Sequence, residues 1–149
     1  ISFNEKNSNL EIPKKDNFTE SDLKVLNTFK SNYDNLINYI DNQNINSYVS
    51  FILDQLFAAN KYFNDQEPWN KKDDVNRLNT IQYVSFELIR KITIMLYPII
   101  PESSLKVLKI FGINEDKIDF KSITDNDYLK SKTKINKINI LFKKIETND

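Results

Sequence analysis

The chain has no cysteine, no histidine and a single glycine in 149 residues, and its only arginines are Arg77 and Arg90. Without cysteine or histidine, these residues can form no disulfide, no Cys/His zinc site, no thiol nucleophile and no Ser–His relay. One glycine leaves little scope for tight hairpins or for loops that wrap a phosphate, since both need positive φ or close backbone approach. Neither sign of charge is in excess, with 21 Lys+Arg against 21 Asp+Glu. Net charge therefore exerts no general pull toward nucleic acid, and such binding needs a local patch. No apolar run approaches the ~18–20 residues that span a bilayer, and no basic, apolar leader opens the chain. The expectation is a chain without membrane contact, begun at Ile1 from within a longer protein or after a removed tag.

What is present is a globular balance, 40% hydrophobic and 28% charged, at the length of one domain. The abundance of Asn, Ile and Lys reads as base composition rather than function. Apolar residues recur at helical spacing. Residues 1–7 read as the end of a helix and residues 8–18 as a loop. Thr19 or Ser21 caps a helix carrying Leu23, Leu26, Phe29, Tyr33, Leu36, Ile37 and Ile40 on one stripe. A second helix from about Asn46 carries Val49, Ile52, Leu53, Leu56 and Phe63, and Pro68 ends it. Asp73 or Asp74 starts a third, from Val75 to about Tyr97, apolar on more than one side and hence central. Pro101 opens a short helix with Leu105, Leu108 and Phe111 inward, stopped by Gly112. From about residue 113 the pattern weakens into a partly extended tail. Asp125-Asn126-Asp127 resembles the start of a calcium loop but lacks its glycine and its later Glu, so no metal site is expected.

Periodicity alone yields a helical bundle. Three segments in fixed order add a resemblance. Ala59-Asn60-Lys61-Tyr62-Phe63-Asn64-Asp65-Gln66-Glu67-Pro68-Trp69 resembles the Ala-Asn-x-Tyr-x-x-x-x-x-Pro-Trp stretch of methionyl-tRNA synthetases. Pro98-Ile99-Ile100-Pro101-Glu102, followed by Leu108 and Phe111-Gly112, is similar to that family's Pro-x-x-Pro-Glu join and the helix after it. Lys134-Ile135-Asn136-Lys137 and Leu141-Phe142-Lys143-Lys144-Ile145-Glu146 are similar to its closing motifs. The chain departs at Asn70-Lys71-Lys72, where the family usually has an apolar residue and an alanine, and at Lys143, where it often has proline.

The resemblance implies an all-α fold, an antiparallel helix bundle of the class I synthetase anticodon-binding type. It would occupy residues 1–149, with its first helix truncated at the N-terminus. The family's Asn and Arg that read the anticodon would fall before Ile1, and its His-x-Gly-His and Lys-Met-Ser-Lys-Ser catalytic signatures do not occur here. The implied function is recognition of the anticodon loop of methionine tRNAs for a methionine–tRNA ligase, with no catalytic centre and no cofactor in these residues. The full-length enzyme would use ATP with magnesium, pair this domain with its own catalytic domain and work in the cytoplasm. The alternative is a helical protein-interaction module without RNA binding. A third reading, a small enzyme using Asp73 and Asp74, is weaker, because such a pair near a helix start more often caps it.

By the resemblance, Trp69 stacks on the first anticodon base; the plainer reading is a half-buried Trp closing the bundle. Pro68, with fixed φ, presents it. Asn60 holds the Trp loop through its backbone or reaches a base edge, the former favoured. Lys71 and Lys72 contact anticodon-loop phosphates, or are simply solvated. Tyr33, Tyr62, Tyr83 and Tyr97 read as packing residues.

Overall fold

Local caps set where the helices begin and end. The computed structural model describes residues 10–135; the expected helix end at residues 1–7 and the closing motif from Asn136 onward lie outside them. Thr19 opens α1 (Glu20–Ser31) with a reciprocal box: its hydroxyl accepts from the Asp22 N–H, and the Asp22 carboxylate accepts from the Thr19 N–H. The single stripe expected from Leu23 to Ile40 is two helices, α1 and α2 (Tyr33–Asp41), parted at Asn32. There both the backbone N–H and the side-chain amide turn back to the Thr28 carbonyl. An Asn amide competing for a helix carbonyl bends the chain. Leu26, Phe29 and Leu36 are buried as a result, while Leu23 and Ile40 stay exposed.

Asn44 caps α3 (Ile45–Gln66), and Asp74 caps α4 (Val75–Leu96) by accepting from the Arg77 N–H at 3.0 Å. Pro101 sits in the first turn of α5 (Pro101–Ile110). Gly112 ends it at φ 77, where the left-handed region favours glycine. The Ile113 N–H reaches back to Leu108 and the Gly112 N–H to Lys109, both at 3.0 Å, and Ile113 and Leu108 are both buried. That is the Schellman closure with its apolar contact.

Side-chain pairs give the helix directions. The Tyr48 hydroxyl donates to the Met95 carbonyl at one end of α3, and Arg77 donates to Gln66 at the other, so α3 and α4 are antiparallel. Tyr62 with Asp22 and Phe29 with Phe51 set α1 antiparallel to α3 in the same way. α4 is central, touched by α1, α3, α5 and the 3-10 turn Phe120–Thr124.

The segment from residue 113, weakly patterned in sequence, packs closely. It buries Ile113, Ile123, Leu129 and Ile135. It also pairs with the incoming strand-like residues, Ile12 N–H to Thr133 at 2.8 Å and Lys132 N–H to Ile12 at 2.7 Å. What holds it is polar. Glu87 and Arg90, both fully buried, pair at 2.7 Å; Arg90 donates to the Ser122 and Asp125 carbonyls, and Glu87 accepts from the Leu129 N–H. Asp125-Asn126-Asp127 serves as this docking strip: Asn126 bridges Lys91 and Asn27, and Asp127 accepts from Tyr83.

Lys91 is fully buried among these groups. Its ammonium donates to the Leu26 carbonyl and to Asn126 and lies over the Phe29 ring. Burial pushes Lys91 down to about 7; Arg90 adds to the fall, and Glu87 and Asp125 oppose it. In the unfolded chain the group titrates near 10.5. Between those values the unfolded chain binds a proton that the folded chain lacks, so stability rises with pH. Above about pH 10 the sign reverses, because burial raises the phenols of Tyr48, Tyr62 and Tyr83 and keeps the folded state protonated. The urea midpoint is therefore expected to climb between about pH 6 and about pH 9, and to stay level in Lys91→Met. A level profile for the unmodified chain would contradict this account.

Candidate nucleic-acid interface

The connection between α3 and α4 is built around one proline. The helical region is disfavoured ahead of Pro68, and α3 accordingly stops at Gln66, with Glu67 left-handed at φ 47, ψ 59. Pro68 itself is buried and starts a 3-10 turn, Pro68–Asn70, that packs against α4. Asn70 N–H to Glu67 at 2.9 Å, Lys71 N–H to Pro68 at 3.2 Å and Asp74 N–H to Lys71 at 3.0 Å carry the chain through to the α4 cap.

Trp69 projects from this turn, 44% exposed. Its ring rests on Phe63 edge-on, centroids 6.1 Å apart and planes at 60°. The indole is thus partly open to solvent while one side of it meets a residue of α3. Lys71 is half-buried and Lys72 exposed, so two cations follow the indole on the same loop. Asn60 lies exposed on α3. Among the described residues it makes no hydrogen bond to the loop, so the backbone-holding role expected of it is not seen. It ends an outward strip of α3 on which Leu53, Leu56 and Phe57 are also exposed, at 49%, 41% and 74%. The helical spacing of Leu53 and Leu56 predicts burial, but α1, α2 and α4 cover other sides of α3, and this strip has no described neighbour over it.

Asp22, Tyr62, Gln66 and Arg77 are the side chains that hold the loop. Arg77 grips Asp22 with both terminal nitrogens, at 2.8 and 2.9 Å, and donates to Gln66 at 2.7 Å. Tyr62, the tyrosine of the Ala-Asn-x-Tyr motif, is buried and donates to the same carboxylate. Burial by itself raises the Asp22 pKa, but the bonds from Arg77, Tyr62 and the Thr19 N–H outweigh it and hold the carboxyl below its usual 3.8. The hydrogen bond to Asp22 in turn raises Arg77. The one sequence cue was the arginine itself: where Lys supplies nearly every cation, an Arg marks a site that needs a planar fork.

The family model described as the anticodon binding domain of methionyl tRNA ligase matches residues 12–149. A methionine–tRNA ligase of Brucella suis is 32% identical over 124 residues, 83% of this chain and 24% of that protein. One from Picrophilus torridus is also 32% identical over 124 residues, covering 81% of this chain and 18% of the relative. The methionyl-tRNA synthetase of Mycobacterium tuberculosis, in its apo form, superposes with TM-score 0.87 at 25% identity, over 99% of this chain and 30% of that one. The same synthetase in complex with methionyl-adenylate gives TM-score 0.87 at 26% identity. This chain therefore spans about a quarter of the length of such relatives.

Proposed function

This chain belongs to the family of anticodon-binding domains of methionyl-tRNA ligases, and we propose that it reads the anticodon loop of methionine tRNAs for such a ligase. The observation that carries the reading is Trp69, 44% exposed on a turn anchored at both ends. A base that leaves its stack is recognised by stacking on an aromatic face, and here a partly exposed indole is steadied by an edge-on contact with Phe63. Pro68 presents the indole, and Lys71 and Lys72 contact the loop phosphates. Asn60, exposed on the strip leading to the turn, contributes a base-edge amide. The ligase chemistry, with ATP and magnesium, belongs to a catalytic domain elsewhere in the full-length protein, which works in the cytoplasm. No described helix is long and apolar enough to cross a membrane.

A second reading, a protein-interaction module, draws on the exposed Leu53, Leu56 and Phe57. Titration of this chain with a methionine-anticodon stem-loop separates the two. Binding is expected to quench Trp69, the only tryptophan, and to weaken as salt rises through loss of phosphate contacts. Lys71→Ala with Lys72→Ala is expected to flatten that salt dependence and leave the quenching at saturation intact. No binding at all argues for the protein-interaction module, and binding that leaves Trp69 unquenched removes Trp69 from the role proposed for it.

A further inference from the structure

We propose that the cluster of Asp22, Tyr62, Gln66 and Arg77, built on a buried carboxylate, sets the presentation of Trp69, its members acting as positioning residues for the base-reading turn. The inference rests on the reading of Trp69 given above and adds what aims it. The loop leaves α3 at Gln66 and is helical again by Arg77. A single guanidinium spans the two ends: Nη2 lies 2.7 Å from Gln66 Oε1 and 2.9 Å from Asp22 Oδ1, with Nη1 2.8 Å from Asp22 Oδ2. Asp22, fully buried at the start of α1, takes the Tyr62 hydroxyl as well. Three helices thus meet at one carboxylate, and the loop cannot spread without breaking charge-assisted, bidentate bonds.

The turn needs such a clamp. Glu67 holds a positive φ of 47 without being glycine, a conformation that persists only where the surroundings over-determine it. Inside the loop, Pro68 supplies rigidity through its fixed φ, and the indole leans edge-on against Phe63. A buried ion pair is weak evidence for stability, because desolvation offsets its attraction, and its better-attested use is to select one arrangement. A bidentate pair at the root of a functional turn fits that use. Geometry at Trp69 should therefore respond to the cluster more strongly than global stability does.

Trp69 is the only tryptophan of the chain, so its fluorescence reports on the turn directly. Gln66→Met removes one acceptor and leaves the Asp22–Arg77 pair in place. Its acrylamide quenching constant at Trp69 is expected to rise roughly twofold as the turn samples more conformations, with the urea midpoint nearly unchanged. Gln66→Glu, which still accepts from Arg77, should restore the original value. Arg77→Lys, which keeps the charge but loses the fork, should loosen Trp69 as Gln66→Met does. In the full-length ligase, Gln66→Met should raise the KM for methionine tRNA about three- to tenfold, the upper figure being 1.4 kcal/mol, while kcat and adenylate formation hold. Quenching that stays at the original value in Gln66→Met, or that rises only in proportion to lost stability, overturns the proposal. If Gln66→Met loosens Trp69 while neither it nor Trp69→Ala affects charging, positioning stands and the anticodon reading falls.

Discussion

Trp69→Ala in the full-length ligase is expected to lower charging efficiency for methionine tRNA about ten- to a hundred-fold. A base stacked on an aromatic side chain contributes ~1–3 kcal/mol, and 1.4 kcal/mol is about tenfold. Methionyl-adenylate formation should stay within experimental scatter of the unmodified enzyme, since that chemistry lies outside this chain. The structure explains why the two effects should separate. Trp69 stands 44% exposed on a surface turn, and the turn is held by Pro68 below it and by Arg77, Gln66 and Asp22 at its flanks, none of which the substitution touches. Truncating the indole exposes Phe63 without opening a deep cavity, so thermal unfolding should shift little. A variant that charges tRNA normally, or that loses folding along with charging, would remove Trp69 from the role proposed for it.

The second large effect concerns stability. Arg90→Met is expected to cost ~3–5 kcal/mol, as removal of one partner from a buried ion pair does. Glu87 would be left at full burial with the Leu129 N–H but without its guanidinium. The Asp125 carbonyl would lose its guanidinium donor as well, and the Ser122 carbonyl would keep only the Asp125 N–H. Glu87→Leu combined with Arg90→Met removes the orphaned charge and should recover part of the loss. Recovery stays incomplete because the buried Leu129 N–H loses its acceptor when Glu87 is replaced, a penalty of about 1–3 kcal/mol. Urea unfolding at neutral pH measures both. A single-variant loss below about 1 kcal/mol would mean that the polar network is not what docks residues 113–135 on α4.

Much of the fold was legible because its causes are local. The reach of α4 to Leu96, the stop of α3 ahead of Pro68, the start of α5 at Pro101 and its end at Gly112 all follow from cap chemistry and φ preferences acting within one helical turn. The break at Asn32 was local too, yet unread, because Tyr33 continues the apolar spacing and only the Asn amide opposes it. The stripe on α3 misled differently: Leu53 and Leu56 carry helical spacing, but spacing does not say which side a neighbour covers.

By itself the sequence determined the helical class, the proline-built turn that carries Trp69 and, through motif order, the family. Those depend on residues close in the chain. Only the tertiary structure decided which charges are buried and what they hold. Arg77 meets Asp22 across 55 positions, Lys91 meets Leu26 across 65, and Asn126 meets Asn27 across 99. An Asp in a first helical turn or a Lys on a helix face looks the same in sequence whether it faces water or a guanidinium. The difference lies in desolvation, and desolvation is set by which distant helix arrives to cover the group.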